Sequence, residues 1–126
     1  VFTHDNMPKN FVTLVKQHGA LLAKGWLLGV QFDTLFTDDL YCRIARHAND
    51  AADRIREVLV ERGYTLTFDA PTNQIFITLD NATSERLQRN VRLGFMEKAD
   101  DTHTVMRICT SWATTDEQVE QLIALL

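Results

Sequence analysis

Val105-Met106-Arg107-Ile108-Cys109-Thr110-Ser111-Trp112-Ala113-Thr114-Thr115 is the stretch on which the reading of this chain turns. It starts as a strand, with apolar Val105, Met106, Ile108 and Cys109 around one arginine. It then runs through small hydroxyl residues into a helix start. Thr114 with Glu117 makes a capping box, and Thr115 with Gln118 offers the same chemistry one residue on. A guanidinium inside an apolar strand is costly unless something accepts its hydrogen bonds. Arg107 therefore meets an internal carboxylate, lies on a solvated face, or waits for an anionic ligand.

Working outward, the pattern predicts a last helix over 116–126. Gln74-Ile75-Phe76-Ile77-Thr78-Leu79 reads as a strand, paired as a hairpin with the alternating run 64–68 across the turn Asp69-Ala70-Pro71-Thr72-Asn73. A short helix around 83–91, a strand near 93–97 and a loop at 99–102 lead into the Arg107 strand. The longest helix is expected to start at Thr37, as a cap followed by two acids at the positive end of the dipole. Leu40, Ile44, Ala48, Ala51, Ile55 and Leu59 repeat along it at helical spacing, and Gly63 supplies the stop. From Thr37 the order is helix, two strands, helix, two strands, helix. That is an α+β fold, with helices covering a small, mostly antiparallel sheet.

The first part of the chain is different. Val1-Phe2-Thr3-His4 reads as the end of a strand, and the lack of an initiator Met gives the look of a segment from something longer. Residues 9–24 follow a helical pattern that Gly19 and Gly25 weaken without breaking. Trp26-Leu27-Leu28-Gly29-Val30-Gln31-Phe32 continues it, apolar almost all round, and such a helix is buried by something. The expected organisation is therefore 1–36, an apolar region that joins or packs on a missing domain, and 37–126, an α+β domain.

Composition narrows the partners. The chain has 126 residues, 45% of them hydrophobic, with a net charge of -4. That is one domain's worth of chain, with no basic footprint for nucleic acid or an acidic membrane. No apolar run approaches a membrane span, so the cytoplasm is the default. Cys42 and Cys109 lie far apart, and both read as small apolar residues of the interior in a reducing compartment. Histidines 4, 18, 47 and 103 show no metal-ligand spacing, so no metal is expected. Gly19-Ala20-Leu21-Leu22-Ala23-Lys24-Gly25 is not a phosphate loop, because its Lys precedes the second Gly and no Ser or Thr follows. No nucleophile–base grouping is visible, so no catalytic residue is assigned.

The segments Gly19–Phe32, Ala45-Arg46-His47-Ala48-Asn49, Thr72-Asn73-Gln74-Ile75-Phe76 and Thr110–Thr115 nevertheless occur together and in a familiar order. The chain resembles the C-terminal segment of the low-specificity L-threonine aldolase and β-eliminating lyase family, within the fold-type I pyridoxal-phosphate enzymes. The resemblance implies the small domain of a lyase that cleaves β-hydroxy amino acids, threonine to glycine and acetaldehyde. It implies pyridoxal phosphate in the complete enzyme, with the cofactor and its Schiff-base lysine on a large N-terminal domain upstream of Val1. The segment alone is then expected to be inactive, and the complete protein to be a homo-oligomer acting on a small amino acid. The resemblance also gives Arg107 a role: the arginine of this Arg-x-x-Thr strand grips the substrate α-carboxylate. Relatives carry Arg where this sequence has Trp26, and Asn73 and Gln74 read as residues that fix the turn and the sheet. Two alternatives stand beside this reading: the small domain of another fold-type I lyase or aminotransferase, and a free-standing α+β ligand-binding or dimerisation module.

Overall fold

Two seven-residue strands set the architecture, the first alternating strictly and the second burying Val105 beside Met106. In Gln74–Asp80 the residues Ile75, Ile77 and Leu79 are buried while Gln74, Phe76 and Thr78 are half-buried. In His103–Cys109 the residues Met106 and Ile108 face the same way as that buried row. A computed structural model describes residues 5–126 of the chain, and the strand end expected at residues 1–4 lies outside them. Its elements in order are α1 (Phe11–Gln17), α2 (Trp26–Phe36), α3 (Leu40–Glu61), β1 (Thr65–Leu66), β2 (Gln74–Asp80), α4 (Asn81–Gln88), β3 (Gly94–Lys98), β4 (His103–Cys109) and α5 (Asp116–Leu125). The four strands form one antiparallel sheet in the order β1-β2-β4-β3.

The chain divides into two compact units, the first ending at Leu40 and the second running Tyr41–Leu126. In the first unit the single helical run expected over 9–24 is replaced by the short α1. Gly19, at φ +63, ends it, and the amide of Ala20 bonds back to the Val15 carbonyl at 2.9 Å. That is a Schellman stop, which glycine makes without steric cost. Helix α2 then starts afresh at Trp26. Its apolar side chains stay open in this unit, with Trp26, Phe32 and Phe36 each 64% exposed. Phe32 and Phe36, one turn apart, stack at 6.0 Å. Thr37 does not cap the long helix as expected. It closes α2 instead, donating its hydroxyl to the Asp33 carbonyl at 2.6 Å, and Asp38 and Asp39 take left-handed φ of 51° and 58° before α3 begins.

In the second unit α3 lays Ala48, Ala51, Ala52, Ile55 and Leu59 along one face. Ala51, Ala52, Ile55 and Leu59 meet Ile75, Ile77 and Leu79 of β2, Met106 and Ile108 of β4, Leu87 of α4 and Val119 of α5 in a single core. Gly63, at φ +78, ends the helix, and the Tyr64 amide returns to Leu59 at 2.9 Å. Helix α5 uses the second of the two possible capping boxes, Thr115 with Gln118. Thr114 is otherwise engaged, its hydroxyl accepting from the Ser111 amide at 2.8 Å. At the far end of α5, Arg62 and Arg86 donate to the carbonyls of Ile123 and Leu125, and Tyr64 donates to Leu126. Cations there complement the negative end of the helix dipole.

Both cysteines are exposed, contrary to the interior placement expected for them. Cys109 alternates onto the sheet face away from the helices, a consequence of strand register that residue type alone does not carry. Among the described residues no helix is long and apolar enough to cross a membrane.

The β3–β4 turn sets the register of the Arg107 strand. Asp100 accepts from the Thr102 hydroxyl and amide and from the His103 amide, at 2.7, 2.6 and 2.8 Å. The Thr102 hydroxyl, then its amide, hold the Asp100 carboxyl well below its ordinary 3.8. A depressed carboxylate contributes stability that is present above pH 3.8 and is lost as pH falls below that value toward the folded-state pKa. A carbon-detected NMR titration should therefore find Asp100 still ionised at pH 3, roughly a unit below the ordinary carboxylate range; a midpoint at or above 3.8 would contradict the turn.

Candidate functional site around Arg107

Arg107 sits mid-way along β4, between Met106 and Ile108, which point into the core. Its side chain therefore emerges on the opposite sheet face, away from α3, α4 and α5. Its direct neighbours across the strands are Phe76 on β2 and Gly94 on β3. Gly94 lies against the arginine: a Cβ there would stand 3.5 Å from Arg107 Nε and 3.6 Å from its Cβ, which is ordinary van der Waals contact.

The residue is half-buried, and among the described residues its side chain makes one hydrogen bond, from Nη1 to the Gln74 side-chain oxygen at 3.2 Å. Nε is buried with no acceptor among the described residues. Among the described residues no carboxylate pairs with Arg107. Arg54 and Arg56, by contrast, are spent within the fold, on Asp116 and Glu120 and on Asp53. Neither ordinary fate of an arginine thus applies to Arg107, which has no ion pair among the described residues and is not fully solvated. A buried donor without an acceptor is uncommon and calls for a physical reason, of which a missing ligand is one.

The guanidinium borders an open cleft of about 270 Å³ lined by Arg92, Leu93, Gly94, Arg107 and Cys109. No acid lines it, so the cleft is cationic in a chain of net charge -4. A larger hollow of about 560 Å³ lies around Tyr64, Thr78, Asp80 and His103, but its polar groups already serve the fold. Asp80 caps α4 by accepting from the Thr83 amide at 2.9 Å, and Asp100 holds the β3–β4 turn.

What fixes the end of β4 is Thr110. This residue is 4% exposed, and its hydroxyl donates to the Ala48 carbonyl of α3 at 2.6 Å. Its amide bonds to Asn73 O at 3.0 Å, and the Asn73 side chain donates to Thr110 O at 2.7 Å. The Thr of the Arg-x-x-Thr strand is thus the knot that ties β4 to β2 and α3.

A threonine aldolase of Leishmania major superimposes on this chain with a TM-score of 0.84 and 35% identity, over 94% of this chain and 34% of its own. The chain belongs to the threonine aldolase family. It spans about a third of the length of that relative. A Sphingomonas wittichii serine palmitoyltransferase matches at TM-score 0.53 and 22% identity, over 64% of this chain and 22% of its own. An SPT structure with PLP matches at TM-score 0.51 and 10% identity, over 64% of this chain and 24% of its own. At these identities the two show the fold alone. No protein-family model and no curated protein matches the sequence.

As a member of the threonine aldolase family the chain raises the question of the cofactor, and its described residues do not fit one. Lys9, Lys16, Lys24 and Lys98 are all exposed, and none lines the Arg107 cleft. What the cleft presents is a guanidinium with donors to spare. Among the described residues no group of His, Cys, Asp and Glu could hold a metal. His47 is pinned by its Nε2 to the Thr114 carbonyl at 2.7 Å, and His103 belongs to the Asp100 turn.

Sequence reasoning missed two partners. Gln74 was read as a sheet residue, but it is the acceptor for Arg107; only the register, which sets Gln74 opposite Cys109, reveals this. Thr110 was read as part of a helix approach, although it is buried. Replacing it as Thr110→Val keeps the shape and removes the bond to Ala48. The expected loss is about 1–2 kcal/mol of stability, the scale of one buried hydrogen bond. Denaturant melts would check it, and a variant as stable as the parent would show that the knot is not needed.

Proposed function

We propose that this chain is the C-terminal, substrate-gripping part of a pyridoxal-phosphate-dependent lyase that cleaves β-hydroxy amino acids, threonine to glycine and acetaldehyde. The observation that supports this most is the state of Arg107: half-buried, unpaired by any carboxylate among the described residues, and with a buried Nε lacking an acceptor. The α-carboxylate of an amino acid supplies what the guanidinium lacks, a planar acceptor of matching width. In the complete enzyme the cofactor, when bound, supplies the electron sink for cleavage of the Cα–Cβ bond.

The work of this chain is positioning. Holding the carboxylate at one end removes rotational freedom from the reacting molecule before any bond breaks. Without a lysine placed for the cofactor, the segment alone is inactive. The exposed apolar side chains of α2, Trp26 and Phe32 among them, form a surface for the large domain or a second subunit of the oligomer.

In the complete, cofactor-loaded enzyme, Arg107→Ala is expected to cost about 2–5 kcal/mol in transition-state stabilisation, so kcat/KM falls by roughly two to three orders of magnitude. Arg107→Lys keeps the charge but loses the fork, and recovers only part of that loss. Cofactor occupancy stays near normal in both. A purely structural arginine gives the reverse pattern, a lower melting temperature with turnover kept. Steady-state kinetics on a folded Arg107→Ala enzyme with kcat/KM within about threefold of the parent, under 1 kcal/mol, would remove Arg107 from the site.

A further inference from the structure

Gln74 is the protein group that holds the Arg107 guanidinium, and its chemistry is specific in two respects. Arginine only donates, so the Gln74 amide must present its oxygen, as it does at 3.2 Å from Nη1. The amide is also neutral. An acidic residue at this place would hold the guanidinium more strongly and would cancel the charge it offers to a ligand. Both side chains are half-buried on the same sheet face, so an ion pair between them would be poorly screened by solvent.

The backbone makes the hold a fixed one. Gln74 opens β2 directly opposite Cys109, two places along β4 from Arg107. The preceding residue, Asn73, is locked to Thr110 by hydrogen bonds in both directions. The Gln74 side chain thus leaves a point of the sheet that cannot drift relative to the strand carrying Arg107.

We infer that Gln74 is a positioning residue for Arg107: its neutral amide oxygen aims the guanidinium while leaving its positive charge for the substrate carboxylate. This rests on the proposed function, because it assumes that the ligand of Arg107 is a carboxylate.

The decisive variant is Gln74→Glu, nearly identical in shape but charged. In the complete, cofactor-loaded enzyme it supplies an internal carboxylate that competes with the substrate. KM should rise by about tenfold or more with kcat within about threefold, and the calorimetric Kd of propionate, a carboxylate that cannot react, should rise in parallel. The melting temperature should stay level or increase. Gln74→Leu, which removes the acceptor without adding charge, should raise KM by about threefold, and this second variant carries the test if the first fails to fold. KM and propionate Kd both within about twofold of the parent in the folded variants would overturn the inference, as would a lower melting temperature with unchanged KM. Arg107→Gln run alongside separates the two claims. If it weakens propionate binding while Gln74→Glu does not, the role of Gln74 falls and the carboxylate grip of Arg107 stands. If neither variant changes binding, both fall.

Discussion

The second unit of this molecule is built around an unneutralised charge. Arg107 is held partly out of water, and among the described residues no acid pairs with it and one of its donors is buried without an acceptor. Such a group lowers the stability of any chain that carries it, and it persists only where the surrounding fold leaves it no alternative. The alternatives here are closed by geometry. Met106 and Ile108 on either side belong to the core, so β4 holds its arginine on the outer row of the sheet and cannot turn over without pulling the core apart. A one-residue slip would place the guanidinium among α3, α4 and α5, which is costlier still.

The rest of the unit secures that register. The Asp100 turn fixes β4 against β3 at one end of the strand, and Thr110 ties the other end to Asn73 and to the Ala48 carbonyl of α3. The alanine-rich face of α3 lets the helix come close enough for that last bond to form, since Ala48, Ala51 and Ala52 add little thickness. Burial of Ile55, Leu59, Ile77, Leu87, Met106 and Val119 then offsets what the arginine costs, each contributing about 1.5–3 kcal/mol before conformational entropy is counted. Arg54, Arg62 and Arg86, which all bond to α5, and the α5 capping box keep Val119 of that helix on the core, so elements far from the cleft still bear on Arg107.

Much of this was legible in the residues. The α+β class followed from the helical spacing of Leu40 through Leu59 and the alternation of residues 74–79, and the antiparallel sheet and its helices formed as expected. Arg107 stood out because a charge in an apolar strand is chemically anomalous. What escaped was whatever depends on register or on competition between local bonds. Gln74 and Arg107 are far apart in sequence and become partners only when β2 and β4 align. The Thr114 cap lost to Thr115 because Ser111 had already engaged the Thr114 hydroxyl. The break after α1 was underestimated because Gly19 was weighed as a weak helix former, whereas in the fold it is a stop signal. Cys109 surfaced for the same reason that Arg107 did: both lie on the outer row of β4.

The central claim is that Arg107 exists to meet a carboxylate, and one binding comparison tests it most directly. Alanine and alaninol differ in that alaninol carries a neutral hydroxymethyl group in place of the carboxylate, so it offers the guanidinium no anion. Their dissociation constants would be measured by calorimetry on the complete, cofactor-loaded enzyme and on its Arg107→Gln variant. The account predicts that the variant loses affinity for alanine by about tenfold to a hundredfold, 1.4 to 2.7 kcal/mol, while binding alaninol as the parent does. An equal loss for both ligands, or no loss for alanine, would contradict it.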